Sequence, residues 1–219
     1  LVCGRAVGKW GPLDPAPKSM HIGQFADGSH VLVPAAMANV LIRGASNAGK
    51  STLAGLLVEG WNRLAYRVLI IDPEGDYVGL GELPGVVVLG AGELPSEKVL
   101  GTLLRWGGLS VVLDLSTMDA DETRAYLAQL GGMITRLREA CGMPHWVVLD
   151  EAHVPLGRRG PMKGIRLRDT GFALVTYQPA GLSKLDDSRF DVVLTAVARD
   201  AGKRRQVLIS DADHDCVPF

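Results

Sequence analysis

The sequence predicts an α/β fold with a mainly parallel, twisted sheet and helices on both faces of that sheet. Three observations support this prediction. Continuous apolar runs, such as residues 68–71 and 146–149, are typical of strands that are buried on both faces. Segments with apolar residues at spacings of three and four alternate with these runs along the chain. A glycine-rich segment, residues 44–52, joins one such run directly to one such helical segment.

Composition places the chain among globular proteins. Of its 219 residues, 47% are apolar and 21% are charged, which suits one large domain or a domain with a small appendage. The formal net charge of −1 does not argue for nucleic acid, although it allows a local basic patch. Three distant cysteines predict neither a disulfide framework nor a zinc site, in agreement with a reducing cytoplasm. We see no apolar run long enough for a membrane span and no pattern of a signal peptide.

The chain is expected to have two parts. Residues 1–36 are a glycine- and proline-rich arm that leads into a small hairpin, and residues 37–219 form the main domain. The predicted strands of the main domain are residues 40–44, 67–72, 86–89, 110–115, 145–150, 172–177, 191–198 and 206–210, the last at the sheet edge. Helices are expected after the glycine-rich segment, at residues 94–106, and after a capping box of Ser116 and Asp119. Residues 155–171 are expected to form a polar loop.

The glycine-rich segment fits the pattern Gly-x-x-x-x-Gly-Lys-Ser/Thr, which cradles the phosphates of a nucleotide. Its members are Gly44, Ala45, Ser46, Asn47, Ala48, Gly49, Lys50, Ser51 and Thr52. Because it lies between a strand and a helix, its backbone N–H groups and the helix N-terminus can face an anion. We expect Lys50 to reach the β- and γ-phosphates of ATP, and Ser51 to bind Mg²⁺. The alternative is a glycine-rich turn before an ordinary helix.

Two acids follow the buried run 146–149. The carboxyl ends of parallel strands form the edge at which α/β sheets bind ligands. At that edge Asp150 can hold Mg²⁺ opposite Ser51, through water, and Glu151 can activate the water that attacks the γ-phosphate. An Asp-Glu pair after a strand is commonly just solvated, but about 100 residues downstream of a phosphate loop it indicates a nucleotide site.

Three further residues lie where a strand ends. Gln178 can sense the γ-phosphate or hold the attacking water, and it can equally cap a loop. Asp72 opens an Asp-Pro-Glu-Gly-Asp-Tyr turn, where it either supports Mg²⁺ or only shapes the turn. His153 follows the acid pair and is interpreted as structural.

A basic run follows the acid pair without an intervening acid. Its members are Arg158, Arg159, Lys163, Arg166 and Arg168. Such a run is commonly a solvated loop. Close to the predicted catalytic strand, it can also supply an arginine finger or a contact to a phosphate backbone.

Together these motifs resemble the HerA/FtsK superfamily of P-loop ATPases over about residues 20–210. The specific matches are the turn at residues 72–77 and the strand at 171–179 that ends in a sensor-type Gln178. The resemblance implies a RecA-like core that hydrolyses ATP with Mg²⁺ at subunit interfaces. It also implies a homo-oligomer such as a hexameric ring, with DNA as partner. An arginine from the basic run, Arg166 or Arg168, is then expected to complete the catalytic site of a neighbouring subunit.

Two other functions stay open. The chain can be a nucleotide-gated interaction module with little turnover. It can also be a small-molecule kinase with the basic run as its lid, although a kinase needs no hydrolytic acid at Glu151. A superfamily 2 helicase would need a second RecA-like domain, and an ABC ATPase would need a Leu-Ser-Gly-Gly-Gln signature before the acidic strand.

Overall fold

The computed structural model describes residues 19–24, 29–90, 94–106, 108–163, 165, 167, 169–177, 182, 189–197, 206–211 and 214–217. Of residues 106, 206–211 and 214–217 it describes the backbone only. Among the helices of this described part, none is both long and apolar enough to cross a bilayer.

The chain alternates strands and helices as the sequence predicts. The strands are β1 Ser19–Gln24, β2 His30–Pro34, β3 Asn39–Gly44, β4 Val68–Asp72, β5 Val86–Leu89, β6 Ser110–Asp114, β7 Trp146–Leu149, β8 Phe172–Thr176, β9 Val192–Val197, β10 Gln206–Asp211 and β11 His214–Val217. The helices are α1 Lys50–Arg63, α2 Glu97–Trp106, α3 Ala120–Cys141 and α4 His153–Leu156, and a 3₁₀ turn covers Val78–Glu82. From β3 to β9, every predicted strand is present with each end within one residue of its expected position.

The main sheet has the order β11-β10-β9-β3-β8-β7-β4-β6-β5. The seven strands from β9 to β5 are parallel, while β10 and β11 are antiparallel to their neighbours. The prediction of an edge strand at 206–210 is therefore wrong, because β11 pairs with the outer side of β10. The order brings the carboxyl ends of β3, β8, β7 and β4 next to one another along one edge of the sheet.

Helices cover both faces of the sheet, as predicted. Because side chains alternate along a strand, Val40 and Ile42 belong to the core under α1, whereas Leu41 belongs to the core under α2 and α3. In the first core Trp61 of α1 stacks on Trp146 of β7 with 3.9 Å between ring centroids. The continuous apolar runs that predicted a parallel sheet thus reflect burial on two faces.

Helix α3 begins at a capping box that the sequence analysis placed three residues too early. The Asp119 side chain accepts hydrogen bonds from the N–H groups of Asp121 and Glu122, and the Glu122 carboxylate accepts one from the N–H of Asp119. The N–H of Ser116 instead donates to the Asp114 carboxylate. Acids in the first turn also complement the helix dipole.

A hairpin before β3 packs against the sheet domain, and the segment expected to be a polar loop is partly buried. β1 and β2 form a separate antiparallel two-stranded sheet, and the buried side chain of Met20 in β1 reaches Gly60 of α1. In the segment expected to be a polar loop, α4 forms one turn, and Met162 and Leu167 are buried in the core under α3. The boundary between residues 36 and 37 stays a prediction.

Candidate functional site at the carboxyl edge of the sheet

The predicted phosphate loop connects β3 to α1, and its backbone depends on residues with positive φ. Gly44 has φ 154°, and a Cβ there would lie 2.4 Å from the carbonyl oxygen of Ala196, so β3 can end this close to β9 only with glycine. Asn47 at φ 61° and Gly49 at φ 94° adopt the left-handed region that these residue types tolerate. Gly49 begins α1 without a capping side chain, and the first turn holds no acid. Such a helix end suits an anion.

Lys50 is the first residue of α1, and its side chain folds back over the loop. The side chain is buried, and its Nζ donates a hydrogen bond to the carbonyl oxygen of Ala45 at 3.2 Å. A single long hydrogen bond to a carbonyl satisfies only one of the three donors of an ammonium group. The group is therefore prepared to exchange this contact for phosphate oxygens.

Asp150 lies directly after β7 and is only 3% exposed. Burial raises the pKa of Asp150 to about 7. The negative charges of Glu151 and Asp72 raise this pKa as well, whereas the hydrogen bond from the Glu151 N–H and the nearby Tyr77 hydroxyl lower it. A carboxylate in these surroundings is stabilised by a cation.

Asp72 ends β4 and organises the turn that follows. It is completely buried, and its carboxylate accepts four backbone N–H groups. These are the N–H groups of Glu74 at 3.2 Å, Gly75 at 2.8 Å, Asp76 at 3.2 Å and Tyr77 at 2.9 Å. Burial raises the pKa of Asp72 although all four bonds lower it. Of the two interpretations of Asp72, the geometry favours the turn over magnesium.

This turn places Tyr77 in the wall of the cleft that Ser51 also lines. Its ring is buried in the core under α1, and its side chain is among the largest that are completely buried. Burial raises the pKa of the Tyr77 hydroxyl far above its usual range, the Asp150 carboxylate raises it further, and the nearby Ser51 hydroxyl lowers it. Although both groups are this close, no group among the described residues forms a hydrogen bond of good geometry with the hydroxyl.

Glu151 follows Asp150 with a left-handed backbone, at φ 44°. Its Oε2 is 3.1 Å from Nδ1 of His153, and the same nitrogen is 3.2 Å from the Thr176 hydroxyl. The His153 ring meets the ring of Tyr177 edge to face at 4.8 Å. Burial is the main cause that raises the pKa of Glu151, while His153 lowers it. His153, interpreted as structural from the sequence, thus lies against the predicted catalytic acid.

These groups surround one open cleft of about 990 Å³. Its walls are the phosphate loop, one side of α1, the turn after β4, and the residues that follow β7 and β8. Lys50, Ser51, Tyr77, Glu151 and Tyr177 all line it, so residues from four separate parts of the sequence meet there. A cleft of this size and polarity is adequate for a nucleoside triphosphate.

Three of the predicted site residues lie outside the part that the structure describes. Gln178, Arg166 and Arg168 therefore keep their roles as predictions. Arg158, Arg159 and Lys163 of the same basic run are described and exposed. They do not line the cleft of their own chain, and the Arg159 carbonyl oxygen accepts a hydrogen bond from Arg124 of α3 at 2.8 Å.

The donor set near Ser51 fits magnesium. The Ser51 hydroxyl and Tyr77 line the cleft, the buried Asp150 carboxylate interacts electrostatically with Tyr77, and Mg²⁺ prefers oxygen ligands and retains several waters. Within the described residues, no group of three His, Cys, Asp or Glu side chains is placed to hold a metal. The ion would therefore be held by Ser51 and Asp150 together with phosphate oxygens, as P-loop sites do.

A parallel sheet with a phosphate loop at its carboxyl edge, and with an acid pair two strands away, defines a P-loop nucleotide-binding domain. The family model described as "Helicase HerA, central domain" (DUF87) matches residues 20–129, half of the chain. The chain belongs to this HerA-type family of P-loop ATPases, and the resemblance inferred from the motifs is confirmed.

Solved structures share the fold at low sequence identity. VirB4 of Thermoanaerobacter pseudethanolicus has a TM-score of 0.62 and 13% identity, with 92% of this chain and 96% of that chain covered. The type VII secretion ATPase EccC of Thermomonospora curvata has a TM-score of 0.60 and 13% identity, covering 92% of this chain and 26% of that chain. The chain thus spans about a quarter of EccC.

A smaller protein is similar over most of its length. The genome packaging NTPase B204 of Sulfolobus turreted icosahedral virus 2, in complex with ATP-gammaS, has a TM-score of 0.54 and 15% identity, with 80% of this chain and 93% of that chain covered. A comparison with curated proteins found no match. At these identities the solved structures support the RecA-like fold, which is the predicted fold class.

Sequence reasoning missed two members of the site. Tyr77 was part of the motif at residues 72–77, but nothing in that motif shows that its hydroxyl faces Ser51 and Asp150. Thr176, which contacts His153, is a buried polar residue at the end of an apolar strand. The only available signal was its position, since polar groups at strand ends of an α/β sheet lie at the ligand edge.

Proposed function

We propose that this protein is a magnesium-dependent ATP hydrolase. The observation that carries the proposal is the meeting, in one cleft, of the phosphate loop with Lys50 and the acid Glu151, with buried Asp150 close behind. Membership of a P-loop ATPase family supports the same activity. The identity of the nucleotide and the dependence on Mg²⁺ are parts of the proposal.

Each residue would have one task. The loop N–H groups and Lys50 would bind the β- and γ-phosphates, and Ser51 and Asp150 would hold Mg²⁺, which supplies charge neutralisation when bound. Glu151 would accept a proton from the water that attacks the γ-phosphorus, as the bond to the β-γ bridging oxygen breaks and ADP leaves. Its contact with His153 at 3.1 Å would orient the carboxylate for that task.

The position of Glu151 favours hydrolysis over the kinase alternative. Its side chain lines the cleft beside the phosphate loop, where a hydrolase needs a base for water. A kinase would use this space for a second substrate. The nucleotide-gated interaction module shares every binding feature and differs only in turnover.

Steady-state ATP turnover with purified protein tests the proposal. Wild type should hydrolyse ATP only with Mg²⁺, and Lys50→Ala should lose both nucleotide binding and turnover. Lys98→Ala, an exposed lysine of α2 far from the phosphate loop, is the matched control and should behave as wild type. Tight nucleotide binding without turnover would favour the interaction module, and unchanged binding in Lys50→Ala would contradict the proposal.

We further propose that the protein acts on DNA as a homo-oligomer. The support is the family, whose description names a helicase, and the similar fold of a genome packaging NTPase. Mass measurement with and without an ATP analogue and DNA should show assembly, and DNA should increase turnover. A monomer in all conditions, with turnover indifferent to DNA, would contradict this second proposal.

A further inference from the structure

Tyr77 lines the cleft, but the function proposed above gives it no role. It is 2% exposed, and its backbone N–H is held by the Asp72 carboxylate at 2.9 Å. The turn after β4 therefore fixes the position of this side chain through a buried bond. An ordinary core position at this place would be satisfied by phenylalanine.

The hydroxyl of Tyr77 is buried without a hydrogen-bond partner among the described residues. Buried polar groups are normally paired, because an unpaired one gives up its hydrogen bonds to water on folding. Tyr77 lines the same cleft as Ser51. The Ser51 hydroxyl and the Asp150 carboxylate, the two predicted metal-holding side chains, both act electrostatically on the Tyr77 hydroxyl. An unpartnered donor and acceptor between them points to a species that arrives with the nucleotide.

We propose that Tyr77 is a positioning residue of the magnesium site, whose hydroxyl hydrogen-bonds a water of the ion's hydration shell between Ser51 and Asp150. This inference rests on the proposed function. Mg²⁺ that is bound together with phosphates retains several waters. Such a water donates hydrogen bonds, and the oxygen of the Tyr77 hydroxyl could accept one of them. Asp72 takes part indirectly, because its four backbone bonds place Tyr77.

The experiment compares Tyr77→Phe with wild type in the binding of a slowly hydrolysed fluorescent ATP analogue at graded Mg²⁺ concentrations. Loss of one hydrogen bond to a metal-bound water should raise the Mg²⁺ concentration for half-maximal binding about 3- to 10-fold. Binding in EDTA should not change. Thermal unfolding of the metal-free variant should occur at the wild-type temperature or above, because an unpaired buried hydroxyl has been removed.

Tyr126→Phe is the matched control. The hydroxyl of Tyr126 donates to the Pro95 carbonyl oxygen at 2.9 Å, away from the cleft. This variant should unfold at a lower temperature and keep the wild-type Mg²⁺ requirement. It therefore shows how the loss of a hydroxyl that serves only the fold affects the unfolding temperature and the Mg²⁺ requirement.

Two results would contradict this inference and leave the proposed function unaffected. One is an unchanged Mg²⁺ requirement in Tyr77→Phe while wild type binds normally. The other is a loss of metal-free stability like that of Tyr126→Phe, which would mean that the hydroxyl serves the fold. If wild type itself shows no Mg²⁺-dependent nucleotide binding, the proposed function fails and this inference fails with it.

Discussion

Asp150 and Glu151 are neighbours in sequence with different surroundings. Asp150 continues the direction of β7 and is buried, whereas the positive φ of Glu151 turns the chain so that its side chain reaches the cleft. A left-handed conformation in a residue other than glycine is strained by about 1–3 kcal/mol. Strain of this kind is kept where the geometry of a site requires it, and here it turns Glu151, the proposed base, into the cleft while Asp150, the proposed magnesium ligand, stays buried.

Glu151→Gln should bind ATP with Mg²⁺ and lose at least about 100-fold in turnover, because an amide keeps the size of the side chain but cannot accept the proton. Turnover and binding are measured on the same preparation. Glu139→Gln, an exposed glutamate of α3, provides the control and should keep full activity. Near-normal turnover in Glu151→Gln would reduce Glu151 to a structural acid at the end of a strand.

Asp150→Asn should be more stable than wild type at pH 8 but should gain less stability from Mg²⁺ and an ATP analogue. The pKa of Asp150 is about 7 in the folded protein against an ordinary 3.8. Between these values the folded state holds a proton that the unfolded state has lost, so the stability of metal-free wild type should fall as pH rises from about 4 to about 7. Asp150→Asn lacks this contribution, so its unfolding temperature should exceed that of wild type at pH 8 and approach it near pH 4.

The same variant should gain little stability from Mg²⁺ and an ATP analogue, which should raise the unfolding temperature of wild type. Differential scanning fluorimetry across pH, with and without these ligands, measures both effects. If the unfolding temperatures of Asp150→Asn and wild type differ by the same amount at every pH, burial does not raise the pKa of Asp150.

Helix α3 shows why adjacent glycines of one element can have different roles. A Cβ on Gly131 would lie 3.2 Å from the Cα of Met162, in the segment that follows α4. A Cβ on Gly132 would meet only Arg136 Nη1 at 3.1 Å, the flexible end of a side chain. The first glycine therefore permits close packing, while the second is only a weak helix former.

Gly132→Ala should stabilise the protein by about 0.5–1 kcal/mol, because alanine has the higher helix propensity. Gly131→Ala should instead destabilise it by about 1–3 kcal/mol, since the backbone at Met162 has to move. Chemical denaturation of both variants gives the comparison within one helix. Equal stabilisation by the two substitutions would mean that the contact with Met162 is easily displaced.

At the scale of the whole molecule, the sheet order decides which residues can cooperate. β3 and β4 follow each other in sequence, yet β8 and β7 lie between them in the sheet. The phosphate loop, Thr176, Asp150 and Asp72 therefore stand in a row along one edge. In this row the phosphate loop and the acids that we propose as base and magnesium ligand belong to one chain. No arginine is among the described residues that line the cleft, so a further cationic group for the transition state would come from elsewhere.

We expect that group to be Arg166 or Arg168 of a neighbouring subunit. An arginine finger contributes about 10³–10⁵ in rate, so the double variant Arg166→Ala/Arg168→Ala should lose turnover and keep nucleotide binding. Mixed with Lys50→Ala, which has an inactive site and intact arginines, it should regain part of the activity. Mixed oligomers that form and stay inactive would contradict the prediction, and Arg199 would be the next candidate.

Much of the site followed from residue types at short spacings. Lys50, Ser51, Asp150 and Glu151 were predicted from two motifs, and the structure brings these motifs to one cleft. The capping box of α3 was misplaced because Ser116 and Asp119 satisfy the same pattern as Asp119 and Glu122. Which of two overlapping patterns forms depends on where the preceding strand ends, and that is set by its pairing.

The α/β class, the mainly parallel sheet and the place of the phosphate loop all followed from the sequence alone. These features depend on apolar periodicity and on glycine at left-handed positions, which act within a few residues. Three features became visible in the folded chain alone: β8 separates β3 from β7, Asp72 shapes a turn, and His153 and Tyr77 interact with the two acids. These features depend on contacts between residues far apart in the chain. The sequence around one residue does not show which distant residue it contacts.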